Sequence, residues 1–167
     1  DACGYTLGTT IVDEEFHYDN GRLVRNWWGT EYYLGPQSVR RAIEQSMNVC
    51  AVKCLTDITP QLGYNYLLNF GFTTLVDRME LADGTVLSDI VQPLALGGIT
   101  NGITNLEITA AYASLANKGT YTKPRFYSMI KDHDGNVLID NTPTQHQVVQ
   151  ESTAYLLTDA MQDVITQ

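Results

Sequence analysis

Residues 38–55 read SVRRAIEQSMNVCAVKCL, a helical pattern of apolar side chains with one interruption. Apolar residues recur three and four apart on both sides of that interruption, at Val39, Ala42, Ile43, Ala51, Val52 and Leu55. Ser46 and Asn48 stand between the two groups, where a continuous helix favours leucine or alanine. Serine and asparagine side chains bond the backbone groups that helix ends leave free. The pattern therefore predicts two helices with a break between them.

Two further segments carry residues that start or stop a helix. Thr59 suits the N-cap, Pro60 the first helical position and Gly71 the position just past the end, which together predict a short helix. Ser152 is the predicted cap of a final helix that continues to the last residues. The apolar residues of that helix also recur three and four apart, at Ala154, Leu157, Met161, Val164 and Ile165.

The segment that starts at Thr104 carries a capping box. Thr104 and Glu107 have the spacing at which each side chain bonds the backbone N–H of the other residue, and Gly119 marks the predicted end of the helix. Farther on, residues 125–140 contain two strand-like runs around Asp134-Gly135, which predict a β-hairpin. A two-stranded hairpin needs support, either from the helices or from a sheet that continues outside this chain.

Composition and charge limit the classes of function. The chain has 167 residues, 44% apolar and 17% charged, which suits one domain or a large part of one. Its formal charge of −9 and pI near 4.5 oppose binding to phosphates, so we expect no nucleic-acid partner. The longest apolar run, residues 90–99, is interrupted by proline and glycine, so no membrane span is predicted. The chain begins with Asp1 and has no signal-peptide pattern, and we expect any membrane anchor to lie outside it.

The cysteines and histidines do not form a pattern typical of a metal site. Cys3, Cys50 and Cys54 cannot all pair with one another. Cys50 and Cys54 are four apart on a predicted helix, which is poor geometry for a disulfide and typical of small buried side chains. The histidines show no ligand spacing to each other or to the cysteines, at His17, His133 and His146. We therefore expect no metal and no cofactor.

The opening of the chain, residues 1–35, is rich in glycine and aromatic residues and is predicted to be an irregular cover. Its aromatic side chains are predicted to be buried, with the lining of a cleft as the alternative, at Trp27, Trp28, Tyr32 and Tyr33. Residues 36–120 are predicted to form a helical lobe, and residues 121–167 the hairpin and the terminal helix. The predicted fold class is mainly α with a small β-hairpin.

A set of short motifs runs through the chain in a fixed order. They are Ile11-Val12-Asp13, Asn26, Gly35 followed by SVRRAIEQSMN, the FGF of residues 70–72, and a block ending at Pro124 that contains LGG, Gly-x-Thr, LE, AAYA, LAN and KGTY. From about Ile11 to its end, the chain closely resembles the transpeptidase domain of class A penicillin-binding proteins. Class A is favoured over class B by the hairpin directly after the KGTY segment, and it implies a glycosyltransferase domain ahead of this one. Asn105 stands where members commonly have proline, and it can still begin a helix.

The resemblance implies a penicillin-recognising (β-lactamase/transpeptidase-like) fold, of which this chain would hold the helical lobe and part of the α/β lobe. Members bring three motifs to one cleft: Ser-x-x-Lys with the nucleophile, Ser-x-Asn, and Lys-Thr-Gly. Ser46-Met47-Asn48 matches the second motif, no Ser-x-x-Lys precedes it, and no Lys-Thr-Gly follows it. Residues 1–167 are therefore expected to be a partial transpeptidase domain that depends on missing flanking segments.

The resemblance also implies an activity for the full-length protein. It would cross-link peptidoglycan stem peptides ending in D-Ala-D-Ala through a serine acyl-enzyme, bind β-lactams, and work on the extracytoplasmic face of the bacterial membrane. Ser46 would relay a proton to the departing amine, and Asn48 would hold the acyl amide and help to position the lysine of the family. The 167 residues alone are predicted to be inactive. The alternatives are a β-lactam sensor, which shares the fold, and a wall-associated interaction domain without catalysis.

Overall fold

A computed structural model describes residues 4–29 and 31–166. Within these residues the α-helices are α1 Val39–Glu44, α2 Asn48–Ile58, α3 Pro60–Asn69, α4 Asn105–Ala116 and α5 Glu151–Thr166, and a 3-10 helix spans Gln92–Leu96. The strands are β1 Thr10–Asp13, β2 Gly35–Ser38, β3 Met79–Glu80, β4 Val86–Leu87, β5 Thr120–Thr122, β6 Met129–Lys131, β7 Val137–Asp140 and β8 Gln145–Gln147. In this part of the chain no helix is both long and apolar enough to cross a membrane.

The strands of the described residues form four antiparallel pairs rather than one hairpin. The predicted hairpin is present as β6–β7, and the other pairs are β1–β2, β3–β4 and β5–β8. Strand β1 lies inside residues 1–35, which were predicted to be irregular throughout. The expectation failed there because a strand of four residues shows too little alternation and its partner β2 comes from a later segment.

The predicted starts of α3 and α4 are confirmed. Thr59 Oγ1 accepts a hydrogen bond from the Leu62 N–H at 3.3 Å in the first turn of α3. At α4 the capping box is complete: Thr104 Oγ1 accepts from the Glu107 N–H at 3.2 Å, and Glu107 Oε2 accepts from the Thr104 N–H at 3.1 Å. These caps satisfy backbone N–H groups that have no partner inside the helix.

The predicted cap of α5 is wrong. The helix begins ahead of Ser152, and the Gln150 carbonyl already accepts an intrahelical hydrogen bond, so Ser152 lies within the first turn. Packing places this helix against α1 and α4. The guanidinium of Arg40 in α1 forms ion pairs with two α5 carboxylates one turn apart, Asp159 and Asp163. Side chains on the neighbouring helix thus help to hold α5 in place.

Helix α2 lies at the centre of the core. Three clusters of buried residues contain side chains of this helix: Cys50 with Ile11 and Met47, Val49 and Val52 with Val24, and Leu55 with Tyr64 and Leu94. A further cluster joins α4 to the β5–β8 pair through Ala110, Tyr121 and Val148. Because α2 is buried on several sides, the break that precedes it is held against the core.

The β6–β7 hairpin is exposed on both faces. Every residue of its two strands is exposed, and most of them are apolar, namely Met129, Ile130, Val137, Leu138 and Ile139. Among the described residues no helix packs extensively against it. The expected support of the hairpin by the helices is therefore not found in the described part of the chain.

Candidate functional site

Ser46 lies in the tight connection between α1 and α2. The Ser46 N–H donates to the Ile43 carbonyl at 3.1 Å, and the Met47 N–H donates to the Ala42 carbonyl at 2.9 Å. Met47 is 2% exposed and anchors the connection in the core, whereas Ser46 is exposed and adopts a left-handed φ of +50°. The predicted break between the two helices is confirmed.

Asn48 is the first residue of α2, and it lines the same cavity as Ser46. Its Nδ2 donates to the Arg25 carbonyl at 2.8 Å, which fixes the side chain in one orientation. The cavity measures about 570 Å³, and its wall is largely apolar, with Ala42, Leu96 and Tyr112 among the lining residues. No lysine, histidine or carboxylate stands among the described residues that line it. The polar groups of these lining residues are therefore two hydroxyls, one amide and two cysteine thiols, and no lysine, histidine or carboxylate is there to act as the base that activates a nucleophile.

The four aromatic residues of the opening do not share one environment. Trp27 is 70% exposed and Tyr32 is 55% exposed, so the prediction that they are buried is wrong. Trp28 packs edge-on against Trp27 and stacks on Tyr32, with ring centroids 5.4 and 6.1 Å apart. Tyr33 is half-buried against the cluster around Val24. None of the four lines the cavity that holds Ser46 and Asn48.

Two buried polar residues, which belong to the family motifs but were not predicted to have a role, lie behind this site. Asp13 is fully buried, and Asn26 is 4% exposed. Asn26 Nδ2 donates to Asp13 Oδ1 at 2.8 Å, Asp13 Oδ2 accepts from the Leu34 N–H at 2.9 Å, and Asn26 Oδ1 accepts from the Val49 N–H at 3.1 Å. A usable sequence signal is an aspartate directly after two apolar residues of a strand, since a buried carboxylate needs hydrogen-bond partners.

The cysteines of α2 are structural. Cys50 is almost fully buried and packs against Ile11 and Met47, as predicted, and Cys54 packs against the edge of the same cluster. Burial, and secondarily the negative charge of Asp13, raises the pKa of the Cys50 thiol to about 11. Neither cysteine forms a disulfide, and Cys3 lies outside the described residues. The described part of the chain contains no group of three His, Cys, Asp or Glu side chains suited to a metal ion.

Ser128 and Lys131 also have the Ser-x-x-Lys spacing, so they must be weighed as a possible nucleophile motif. Lys131 ends β6, and Ser128 directly precedes that strand. Residues three apart share a face on a helix but point to opposite sides of a strand, so Lys131 is not placed to take the Ser128 proton. Both residues are exposed, and neither lines the cavity of Ser46.

Comparison with known families assigns this chain. The family model of the penicillin-binding protein transpeptidase domain matches residues 4–167. The chain belongs to this family. Penicillin-binding protein 1A/1B of Bacillus subtilis is 28% identical over 157 residues, covering 93% of this chain and 16% of the relative. Penicillin-binding protein 1F of the same organism is 32% identical over 133 residues, covering 80% of this chain and 17% of the relative.

These relatives confirm the resemblance to class A penicillin-binding proteins, and this chain spans less than a fifth of their length. Solved structures show the same fold. Penicillin-binding protein 1A of Haemophilus influenzae has a TM-score of 0.71 at 18% identity, covering 99% of this chain and 28% of that protein. PonA1 of Mycobacterium tuberculosis in complex with penicillin V has a TM-score of 0.73 at 23% identity, covering 95% of this chain and 42% of that protein. The transpeptidase-like fold predicted from the motifs is confirmed.

Proposed function

We propose that this chain is the Ser-x-Asn-bearing part of a D,D-transpeptidase that cross-links stem peptides ending in D-Ala-D-Ala through a serine acyl-enzyme. The observation that carries the proposal is the position of Ser46 and Asn48 on one cavity wall in a chain of this family. Analogy supports it: one structural neighbour is an imipenem acyl-enzyme complex of penicillin-binding protein A, and another is the penicillin V complex of PonA1.

The chemistry requires a nucleophile that the Ser46 cavity does not hold. We place it on a Ser-x-x-Lys segment outside this chain, whose lysine takes the proton of the serine hydroxyl. The serine oxygen then bonds the penultimate carbonyl carbon of the stem peptide, and the bond to the terminal D-alanine nitrogen breaks. An amine of a second strand later takes the acyl group from the serine.

Ser46 is assigned the proton transfer to the leaving amine. Its hydroxyl is exposed at the cavity, and no described residue forms a hydrogen bond with it, so it can donate to the departing nitrogen while it receives a proton from the lysine. Asn48 keeps its Oδ1 and one amide hydrogen for the donor strand or a β-lactam, because Arg25 uses the other hydrogen. Asn48 thereby orients the acyl amide, and also the lysine.

The proposed function also implies a cellular location and a set of binding partners. Peptidoglycan and β-lactams are found outside the cytoplasmic membrane, so we assign the protein to the extracytoplasmic face, with its anchor in a segment outside this chain. The described residues hold no helix that could act as that anchor. The flanking segments of the domain are the remaining partners, since this chain covers less than half of each neighbouring structure.

The test is a penicillin-labelling experiment on the full-length polypeptide that contains this chain. After exposure to benzylpenicillin, intact mass and peptide mapping are expected to locate the adduct on a serine outside residues 1–167. Ser46→Ala is expected to slow adduct formation by about 100-fold, the size of a lost acid-base contribution. The 167-residue chain alone is expected to gain no adduct.

Ser128→Ala provides the matched control, since Ser128 is an exposed serine away from the cavity. This variant is expected to form the adduct at the unsubstituted rate. An adduct on Ser46 itself, or the absence of an adduct on the full-length protein, contradicts the proposal. A stable adduct without release of D-alanine from a stem pentapeptide indicates a β-lactam sensor instead.

A further inference from the structure

Residues 25–27, which we call the clasp, run alongside the connection between α1 and α2. The Arg25 carbonyl accepts a hydrogen bond from Asn48 Nδ2 at 2.8 Å. Trp27 Nε1 donates to the carbonyl of Gln45 at 2.9 Å. These two contacts fall on opposite sides of the serine of the Ser-x-Asn motif. The clasp therefore spans the whole turn that presents this motif to the cavity.

Asn26, at the middle of the clasp, supplies the cap that α2 lacks from its own chain segment. The N-cap position is occupied by Met47, whose side chain makes no capping hydrogen bond. Asn26 Oδ1 instead accepts from the Val49 N–H, one of the first-turn donors that a helix leaves unsatisfied. Asp13 accepts the Asn26 amide hydrogen and also the Leu34 N–H, so both ends of the Asn26 side chain are used.

We propose that the clasp, braced by Asp13, positions Ser46 and Asn48 for acyl transfer, and that Asn26 is a positioning residue of this transpeptidase. This inference rests on the proposed function. Asn26 is almost fully buried, and we expect it to act through α2 rather than by touching a substrate. A buried amide with donor and acceptor both occupied is held in one orientation. A displacement of about 1 Å in a reacting group is enough to cost about 100-fold in rate.

The two buried side chains can be exchanged, which makes the test specific. In Asn26→Asp, two carboxylates face each other across a contact that now measures 2.8 Å. In Asp13→Asn, either orientation of the new amide loses one hydrogen bond, because Leu34 offers a donor and Asn26 another. In the double variant, the amide at position 13 accepts from Leu34 and donates to the carboxylate at position 26, which accepts from Val49. All three hydrogen bonds are restored.

The measurement is acylation of the full-length protein by a fluorescent penicillin, resolved into the acylation rate constant at saturation and the apparent dissociation constant. We expect each single variant to lower the rate constant by about 10- to 100-fold with little change in the dissociation constant. The double variant is expected to recover to within about threefold of the unsubstituted protein. A purely stabilising role would change the folded fraction and leave the rate constant of folded molecules unchanged.

Asp89→Asn is the matched control. Asp89 is also almost fully buried, and it accepts hydrogen bonds from the Val76 N–H at 2.8 Å and from Thr100 N–H and Oγ1 at 2.8 and 2.6 Å. It therefore braces backbone as Asp13 does, but these hydrogen bonds go to residues outside both the clasp and α2. We expect this variant to lower the melting temperature and to leave the acylation rate constant within about threefold.

The outcomes separate this inference from the proposed function. Absence of acylation in the unsubstituted protein contradicts the proposed function. Hydrogen exchange at the Val49 amide then tests separately whether the clasp holds the start of α2. Exchange that accelerates in Asn26→Asp and recovers in the double variant supports it. The inference is overturned if Val49 exchange is unchanged, if the single variants acylate like Asp89→Asn, or if the double variant is no better than the single ones.

Discussion

Replacing Glu107 by glutamine tests how the start of α4 is joined to the loop after α3. Glu107 Oε1 accepts from the Thr73 N–H at 2.9 Å and the Thr73 hydroxyl at 2.6 Å, and Oε2 accepts from the Thr104 N–H and hydroxyl at 3.1 and 2.9 Å. These donors, first among them the Thr73 hydroxyl, lower the pKa of Glu107 from 4.5 to about 2. The charged form is thus favoured in the folded protein.

The magnitude follows from that pKa. A difference of this size corresponds to about 3 kcal/mol for a fully buried group. Glu107 keeps contact with solvent, so we expect roughly half, ~1.5 kcal/mol, or a fall in melting temperature of about 3 to 6 °C at pH 7. Because folding lowers the pKa, this stabilisation is complete above pH 4.5 and is lost as the pH falls toward 2.

Melting temperatures of the unsubstituted protein and of Glu107→Gln, followed by circular dichroism from pH 7 to pH 3, measure the effect. The difference is expected to be largest at pH 7 and to shrink below pH 4.5. Glu151→Gln is the control, because Glu151 lies in the first turn of α5 and pairs with the exposed Lys118 ammonium. If the melting temperatures of the unsubstituted protein and of Glu107→Gln differ by the same amount at every pH down to 3, the hydrogen bonds to the Glu107 carboxylate do not stabilise the fold as described.

Two further predictions concern α2. Val52→Ala removes two methyl groups from a fully buried side chain and is expected to cost about 2 kcal/mol in urea unfolding, whereas Val137→Ala on the exposed hairpin is expected to change stability by less than about 0.5 kcal/mol. Equal effects of the two changes contradict the packing described for the core. The pKa of the Cys50 thiol is about 11, against 9.0 for an ordinary cysteine. At pH 8 the fraction of Cys50 present as thiolate is therefore about 100-fold smaller than for an ordinary cysteine. Alkylation of Cys50 by iodoacetamide, followed by peptide mass spectrometry, is therefore expected to be at least about 100-fold slower in the folded than in the unfolded protein; similar rates contradict it.

Local signals predicted local structure. The Thr104 capping box and the Thr59-Pro60 start lie within single helix turns, so the residues that satisfy the backbone groups are neighbours in sequence. The break at Ser46 was predictable for the same reason. At α5 this reasoning failed, because a serine is suited both to the N-cap and to the first turn of a helix. Which of the two positions Ser152 occupies depends on how the chain enters the helix from β8.

Contacts between distant segments could not be predicted. The pairing of β1 with β2, and the hydrogen bonds that Asp13 and Asn26 make with one another and with α2, join residues separated by loops whose paths the sequence does not specify. Spacing without secondary structure also misleads. Ser128 and Lys131 have the interval of a catalytic pair, and the strand at β6 keeps them apart.

The family motif, rather than any physical signal, identified Ser46 and Asn48 as candidates. A serine and an asparagine are common between two helices and do not by themselves indicate a site. The structure adds that both residues lie on one cavity wall. The residues behind them were missed because burial of Asn26 and Asp13 is a property of the folded chain. Three hydrogen bonds join these two residues to each other and to separate segments of the chain, and these bonds form only in the folded protein.

The backbone at Ser46 has a consequence for engineering. A left-handed φ of +50° costs a side-chain-bearing residue roughly 1 kcal/mol, whereas glycine adopts it without a steric penalty. Selection for thermal stability alone would therefore favour glycine at this position and discard the hydroxyl that the proposed proton relay uses. Stability and activity make opposite demands on one residue, so a library screened for heat resistance needs position 46 held constant.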